Sequence, residues 1–141
     1  MRLSDALAVL GLTYVKTLDR KHQHFLARDS GGSLYLIIYT RRTLRRPKAL
    51  GIDYDGPMLG VRKQYLDYWL RSGNAVGIIW VIGGDAYIAS NPKAILETIS
   101  ILASCVKRGY EVICHYPLSA AKHVVLNQGL SRFMREGGRC W

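Results

Sequence analysis

Few residues in this chain are spaced for chemistry. Asp53 and Asp55 stand two apart in the run Asp53-Tyr54-Asp55-Gly56. Acids at i and i+2 beside a glycine can turn two carboxylates toward one cation, and Mg²⁺ takes such oxygen ligands. The same run suits a turn in which an Asp side chain bonds the backbone, which is the simpler reading. Asp53 and Asp55 are therefore subordinate candidates for catalysis and metal binding, with Mg²⁺ the cofactor only if the chain is catalytic. His22 and His24 are also two apart and would share one face of a strand. No further ligand stands at a spacing that would complete a metal site with them. His115 and His123 are isolated and read as ordinary surface or core histidines. The chain has no CxxC, no GxxxxGK[ST], no GxGxxG and no Ser-His-Asp order. Nucleotide hydrolysis and dinucleotide-dependent chemistry are not expected.

Charge carries more information. Lys and Arg number 20 against 10 acids, a net charge of +10. Self-repulsion at that charge opposes folding, and an anionic partner would relieve it. Nucleic acid is the first candidate and an anionic membrane surface the second. Arg41, Arg42, Arg45, Arg46 and Lys48 place five cations in eight residues. Arginine forks bind phosphate oxygens bidentately. Lys16, Arg20, Lys21 and Arg28 fall on adjoining strands and turns. Arg62 and Lys63 open the next helix, where the helix's own positive end opposes them and a phosphate would reconcile the two. Tyr39, Tyr54, Tyr65 and Tyr68 interleave with these cations. Tyr54, in a loop, is the candidate for stacking on bases, whereas Tyr65 and Tyr68 read as core. The expected nucleic-acid contacts are thus Arg41, Arg42, Arg45, Arg46, Lys48, Arg62, Lys63, Lys21, Arg28 and Tyr54.

These residues must be positioned by one domain, since 141 residues make an ordinary single domain over 1–141. Ser4 is the expected N-cap of a short helix through Leu10, closed by Gly11. Strands follow over 12–18, 24–28 and 33–40. The run Leu34 to Tyr39 suits a central strand buried on both faces. Residues 41–60 read as one long loop. A helix is expected over 61–72, with Val61, Tyr65, Tyr68 and Trp69 on one face. Strands follow over 75–82 and 86–89. Asn91 and Pro92 open a helix to about Lys107, a strand spans 111–116, and Pro117 opens a last helical stretch to about Glu136. The class is α/β, a single mixed sheet flanked by helices. The stripe Ile95, Ile99, Leu102 and Val106 suits either the core or a homodimer surface. No run of 18 apolar residues exists, so no membrane span is expected. The three cysteines, Cys105, Cys114 and Cys140, are an odd count without metal-type spacing. They point to a reducing, cytoplasmic (intracellular) setting, with Cys105 and Cys114 as core residues.

The order helix, β-hairpin, long loop, helix bearing a Gln, then strand resembles the core of PD-(D/E)XK nucleases. The matching stretches are HFLARDSGGSLYLIIYTRR and GVRKQYLDYWLRSGNAVGIIWVI, within about residues 3–90. The run Gln64-Tyr65-Leu66-Asp67-Tyr68 fits the Gln-x-x-x-Tyr motif of RecB-like members. The resemblance implies a restriction-endonuclease-like core over about 3–90, with an α-β-α extension over about 91–136. It also implies DNA as partner and makes Gln64 a third candidate for catalysis. The chain departs from the family where the chemistry lives. In the usual register the second acid falls at Ile38 and the lysine at Thr40, and no acid stands around 24–27. Neither Ile nor Thr can serve as carboxylate ligand or cation. Arg41 carries a charge, but one residue later in a strand faces the other way. The expectation is a catalytically degenerate DNA-binding protein. The alternatives are an active Mg²⁺-dependent endonuclease with a displaced site, and a protein-interaction or inhibitor module directed at an acidic protein.

Overall fold

The computed structural model describes residues 1–41 and 46–126. Arg42, Arg45 and the stretch after Leu126 lie outside the described residues. The chain opens with α1 (Leu3–Leu10), which buries Ala6 and Leu7 and ends where Gly11 turns left-handed at φ 71°. Its N-cap is Arg2, so Ser4 lies inside the helix instead of capping it. An antiparallel meander follows: β1 (Thr13–Thr17), β2 (His24–Arg28) and β3 (Leu34–Thr40). The chain then crosses over through β4 (Met58–Arg62) and a helix to β5 (Gly77–Ile82), which runs parallel to β3. β6 (Asp85–Ala89) turns back beside β5, and β9 (Lys122–Val125) pairs with β6. The six strands lie in the order β1-β2-β3-β5-β6-β9. This is the α/β class with a mixed sheet flanked by helices that the sequence implies.

A second, three-stranded antiparallel sheet lies on one face, in the order β4, then β8 (Glu111–Pro117), then β7 (Cys105–Arg108). It corrects several sequence expectations. The stretch 41–60 is not one loop: it holds a 3₁₀ turn, Pro47–Leu50, and most of β4. Val61 belongs to β4, opposite Cys114, and not to a helix. The crossover helix begins as α2 (Lys63–Tyr65) and continues as a π-helix over Leu66–Arg71. The helix from Asn91, α3 (Pro92–Leu102), stops early because Ala103 adopts the left-handed conformation at φ 47°. Residues 105–108 are therefore β7 (Cys105–Arg108), hairpinned to β8 (Glu111–Pro117). After Pro117 comes a 3₁₀ turn and then β9, where a helix was expected. The C-terminal part is thus rich in strands through residue 126, not α-β-α.

Period-two alternation divides the large sheet's side chains between two cores. Leu26, Leu36, Ile38, Ile78 and Trp80 face the small sheet's Leu59, Val61, Cys114 and Tyr116, together with Leu66, Leu70, Ile95 and Ile99 from the helices. Phe25, Ala27, Ile37, Ile79 and Val81 face α1. β3 and β5 are buried on both sides, as expected for the Leu34–Tyr39 run. Trp80 ties the sheets together: its indole N–H donates to the Gly60 carbonyl at 2.9 Å, and its ring stacks on Tyr116. Gly77 lets β5 start against the end of β6, since a Cβ there would lie 2.5 Å from the Ala89 carbonyl oxygen.

Cys105 and Cys114 stand directly opposite each other on β7 and β8, and their sulfurs are bonded. They are a disulfide and not two free core thiols, which removes the cysteine argument for a reducing setting. The hairpin register, hidden while 105–108 reads as helix, brings the two together. Among the described residues no helix is long and apolar enough to cross a membrane.

Candidate nucleic-acid interface

The turn between β1 and β2 is organised by one side chain. The Asp19 carboxylate accepts the backbone N–H of Gln23 at 2.8 Å and of His24 at 3.0 Å. An Asp that bonds backbone a few residues on is a standard way to fix a tight turn. The same carboxylate lies 3.0 Å from the His24 ring Nδ1 and 3.8 Å from the Arg62 guanidinium. Arg62 reaches on to Glu111 at 3.2 Å. The network joins the β1–β2 turn, the end of β4 and the start of β8. The Asp19 and Arg62 side chains are only 2% and 13% exposed, so neither is a solvated surface charge.

Burial alone would raise the Asp19 carboxyl, but the hydrogen bonds from the His24 backbone, the His24 ring and the Gln23 backbone outweigh it. They hold the group below its ordinary value of 3.8. Burial depresses His24 below its ordinary 6.5, and Arg62 pushes the same way against the pull of Asp19. At neutral pH the imidazole is uncharged. Its Nδ1–H donates to Asp19, and Nε2 is left as an acceptor. That Nε2 is buried without a hydrogen-bond partner among the described residues. The ring packs on Tyr65, whose hydroxyl donates to the Leu18 carbonyl at 3.0 Å.

Beside this network lies a cleft of about 420 Å³ walled by Lys21, Gln23, His24, Thr40, Arg62 and Arg108. Ile38 and Thr40 both line it, since residues i and i+2 of β3 share a face. A second cleft of about 340 Å³ shares Lys21, Gln23 and Thr40 and ends at Arg41. A third, of about 290 Å³, shares Arg62 and Glu111 and is lined by Lys63, Gln64 and Tyr110. The first cleft shares lining residues with each of the other two, and along this groove the cations Lys21, Arg41, Arg62, Lys63 and Arg108 outnumber the acids Asp67 and Glu111.

The residues singled out from sequence divide unevenly over this groove. Lys21 and Arg41 line it. Arg62 lies at its centre but is turned inward to Asp19 and Glu111. Lys63 is paired with Asp67 at 2.6 Å. The expected conflict at the helix start is therefore answered by acids of the chain itself, with no phosphate required. Gln64 is exposed on the third cleft. Arg28 is exposed at the other end of β2, four residues from His24 and roughly 13 Å along the strand. Arg46 is exposed after the undescribed segment. Lys48 pairs with Asp55 at 2.9 Å, and that hydrogen bond and charge raise the Lys48 ammonium above its ordinary value. Tyr54 is half-buried, and its hydroxyl is hydrogen-bonded to Ser119 Oγ at 2.8 Å. Asp53 is exposed. Among the described residues no three His, Cys, Asp or Glu side chains converge on a metal position. His22 sits in the turn at φ 54°, so it does not share a strand face with His24.

Sequence reasoning missed Asp19, Arg108, Tyr110 and Glu111. The signal for Asp19 was an acid closely preceding a strand that opens on His24. The signal for the others was Lys107-Arg108-Gly109-Tyr110, a hairpin tip that had been absorbed into a helix end. Compared with known proteins, the chain matches no family model, no curated protein and no solved structure.

Proposed function

We propose that this chain is a DNA-binding protein on a nuclease-like fold, without family-type cleavage, and that the groove is its contact surface. One observation carries the reading. Lys21, Arg41 and Arg108 line adjoining clefts, and none of them has an ion-pair partner among the described residues. Cations left unpaired along a groove fit the phosphates of a polyanion. The meander, the crossover and the parallel β3–β5 pair support the nuclease-like architecture that the sequence resembles. Ile38 and Thr40 line the central cleft at the positions where the family carries its acid and lysine, which supports a degenerate centre.

The test is equilibrium binding of a labelled DNA duplex over a range of salt. Affinity should fall steeply as salt rises, and the triple variant Lys21→Ala, Arg41→Ala, Arg108→Ala should bind weakly with a flattened dependence. Unchanged binding by that variant would remove the groove from consideration. A supercoiled plasmid incubated with Mg²⁺ or Mn²⁺ should stay intact. Nicking lost in Asp53→Asn or Asp55→Asn would restore the displaced-site endonuclease.

A further inference from the structure

Tyr110 is fully exposed. It occupies the tip of the β7–β8 hairpin, where Arg108 pairs with Glu111 and only Gly109 and Tyr110 form the loop. Gly109, at φ 64°, takes the left-handed position that a two-residue hairpin loop demands. Nothing in that turn requires an aromatic at the next position, and the ring contributes no buried surface to folding. A large planar side chain held out on a rigid two-residue loop is pre-organised for a partner with a flat face.

Its surroundings define that partner. Tyr110 lines the third cleft together with Gln64 and two ion pairs, Arg62 with Glu111 and Lys63 with Asp67, whose charges offset each other. At about 290 Å³ the cleft is at the small end of ligand pockets and suits one ring system rather than an extended ligand. Gln64 is exposed there, and its amide offers both a donor and an acceptor. Lys107 and Arg108 flank the tip and are exposed. Arg108 also walls the central cleft, so the tip continues the cationic groove.

We propose that Tyr110 and the third cleft hold one unpaired base of a single-stranded DNA segment whose backbone follows the groove. The ring stacks on the base face, Gln64 bonds the base edge, and Arg108 contacts a neighbouring phosphate. A duplex keeps its bases stacked on each other and offers the ring no face, so this site favours single strands, frayed ends and junctions. The inference rests on the groove being the DNA contact, and it adds which form of DNA is preferred.

The experiment compares a fluorescein-labelled single strand with a blunt duplex of the same length, by anisotropy, for the intact chain and for Tyr110→Ala and Tyr110→Trp. Because the side chain is at a surface tip, both variants should keep the wild-type circular dichroism spectrum. Tyr110→Ala should weaken single-strand binding by about ten-fold, the scale of one lost base–aromatic stack. Duplex binding and the salt dependence should not change, and Tyr110→Trp should bind single strands at least as tightly as wild type. Equal single-strand affinity in Tyr110→Ala and wild type, or an equal loss for both DNA forms, would overturn the stacking site while leaving the groove. Failure of the intact chain to bind either form would bring down the groove reading, and this one with it.

Discussion

The Asp19 carboxylate binds the Nδ1 side of the His24 ring at 3.0 Å, while the Nε2 side of that ring is buried with no partner among the described residues. One acid thus fixes the tautomer of the histidine, closes the β1–β2 turn and faces Arg62 of the second sheet. Asp19→Ala should lower unfolding stability by about 2–4 kcal/mol, since it strands the His24 Nδ1–H and two backbone donors and leaves Arg62 with Glu111 alone. Asp19→Asn keeps an acceptor for the turn and should lose less. Urea unfolding measures both, and a loss in Asp19→Ala below about 0.5 kcal/mol, within the range of an ordinary surface substitution, would mean the network is idle.

Stability should fall as the solution is acidified from neutral. Burial depresses both His24 and His115 below the ordinary 6.5. Unfolded imidazoles take up protons near 6.5, whereas the folded ones resist until lower pH. Below 6.5 the unfolded state binds more protons, so the stabilisation present above that value is progressively lost. Each histidine contributes at most about 1.4 kcal/mol per pH unit in that window. Asp19 acts in the same direction further down, because its depressed carboxyl loses its contribution only as pH drops below 3.8. Denaturant titrations between pH 7.5 and 5 should show the slope, and His24→Asn should make it shallower.

Single substitutions in the groove should report on phosphate contacts one at a time. Lys21→Ala and Arg108→Ala should each reduce the slope of log affinity against log salt by about 0.9. Lys93, exposed on α3 away from these clefts, serves as a charge-matched control, and Lys93→Ala should leave the slope unchanged. If Lys93 and the groove residues had equal effects, binding would follow net charge and not a surface.

The Cys105–Cys114 bond closes a short loop, with the cysteines nine residues apart. Reduction, or the double replacement of both by Ser, should cost about 2–3 kcal/mol on the loop-closure scale. Intact-mass measurement with and without reductant shows whether the bond is present, and thermal unfolding gives its contribution. No difference in unfolding between the two forms would mean the hairpin is held by its strand pairing alone.

Local chemistry made the large sheet legible. The Leu34–Tyr39 run reads as a two-sided strand, the 29–32 turn carries two glycines, and Asn91-Pro92 opens α3 with the Asn side chain capping Ala94. The small sheet was hidden because its turn residues, Gly56-Pro57 before β4 and Gly109 between β7 and β8, read equally well as part of a loop and as a helix stop. Val61 keeps helical spacing with Tyr65 and Tyr68, yet the change from strand to helix at Arg62–Lys63 involves no glycine or proline. Ala103 turns left-handed, a conformation that Ala rarely adopts, so helical spacing alone carries α3 on into Cys105 and Val106. The candidate site suffered for the same reason. Counting cations favoured the Arg41–Lys48 run, but pairing decides which cations are available, and pairing is a tertiary property. Lys48 is bound to Asp55 and Arg62 to Asp19 and Glu111, whereas Arg108 belonged to a hairpin not visible from spacing.

The small sheet draws one strand from the crossover between β3 and β5 and two from beyond α3. One part of the groove lining, from Lys21 to Arg41, is therefore encoded early in the chain, and another part, Arg108 to Glu111, late. A fragment ending at Ala89 would keep the strands that resemble a nuclease core and forfeit half of the channel. The proposed recognition surface is in this sense a property of the whole fold, and it cannot be transplanted with the segment whose sequence first suggested it.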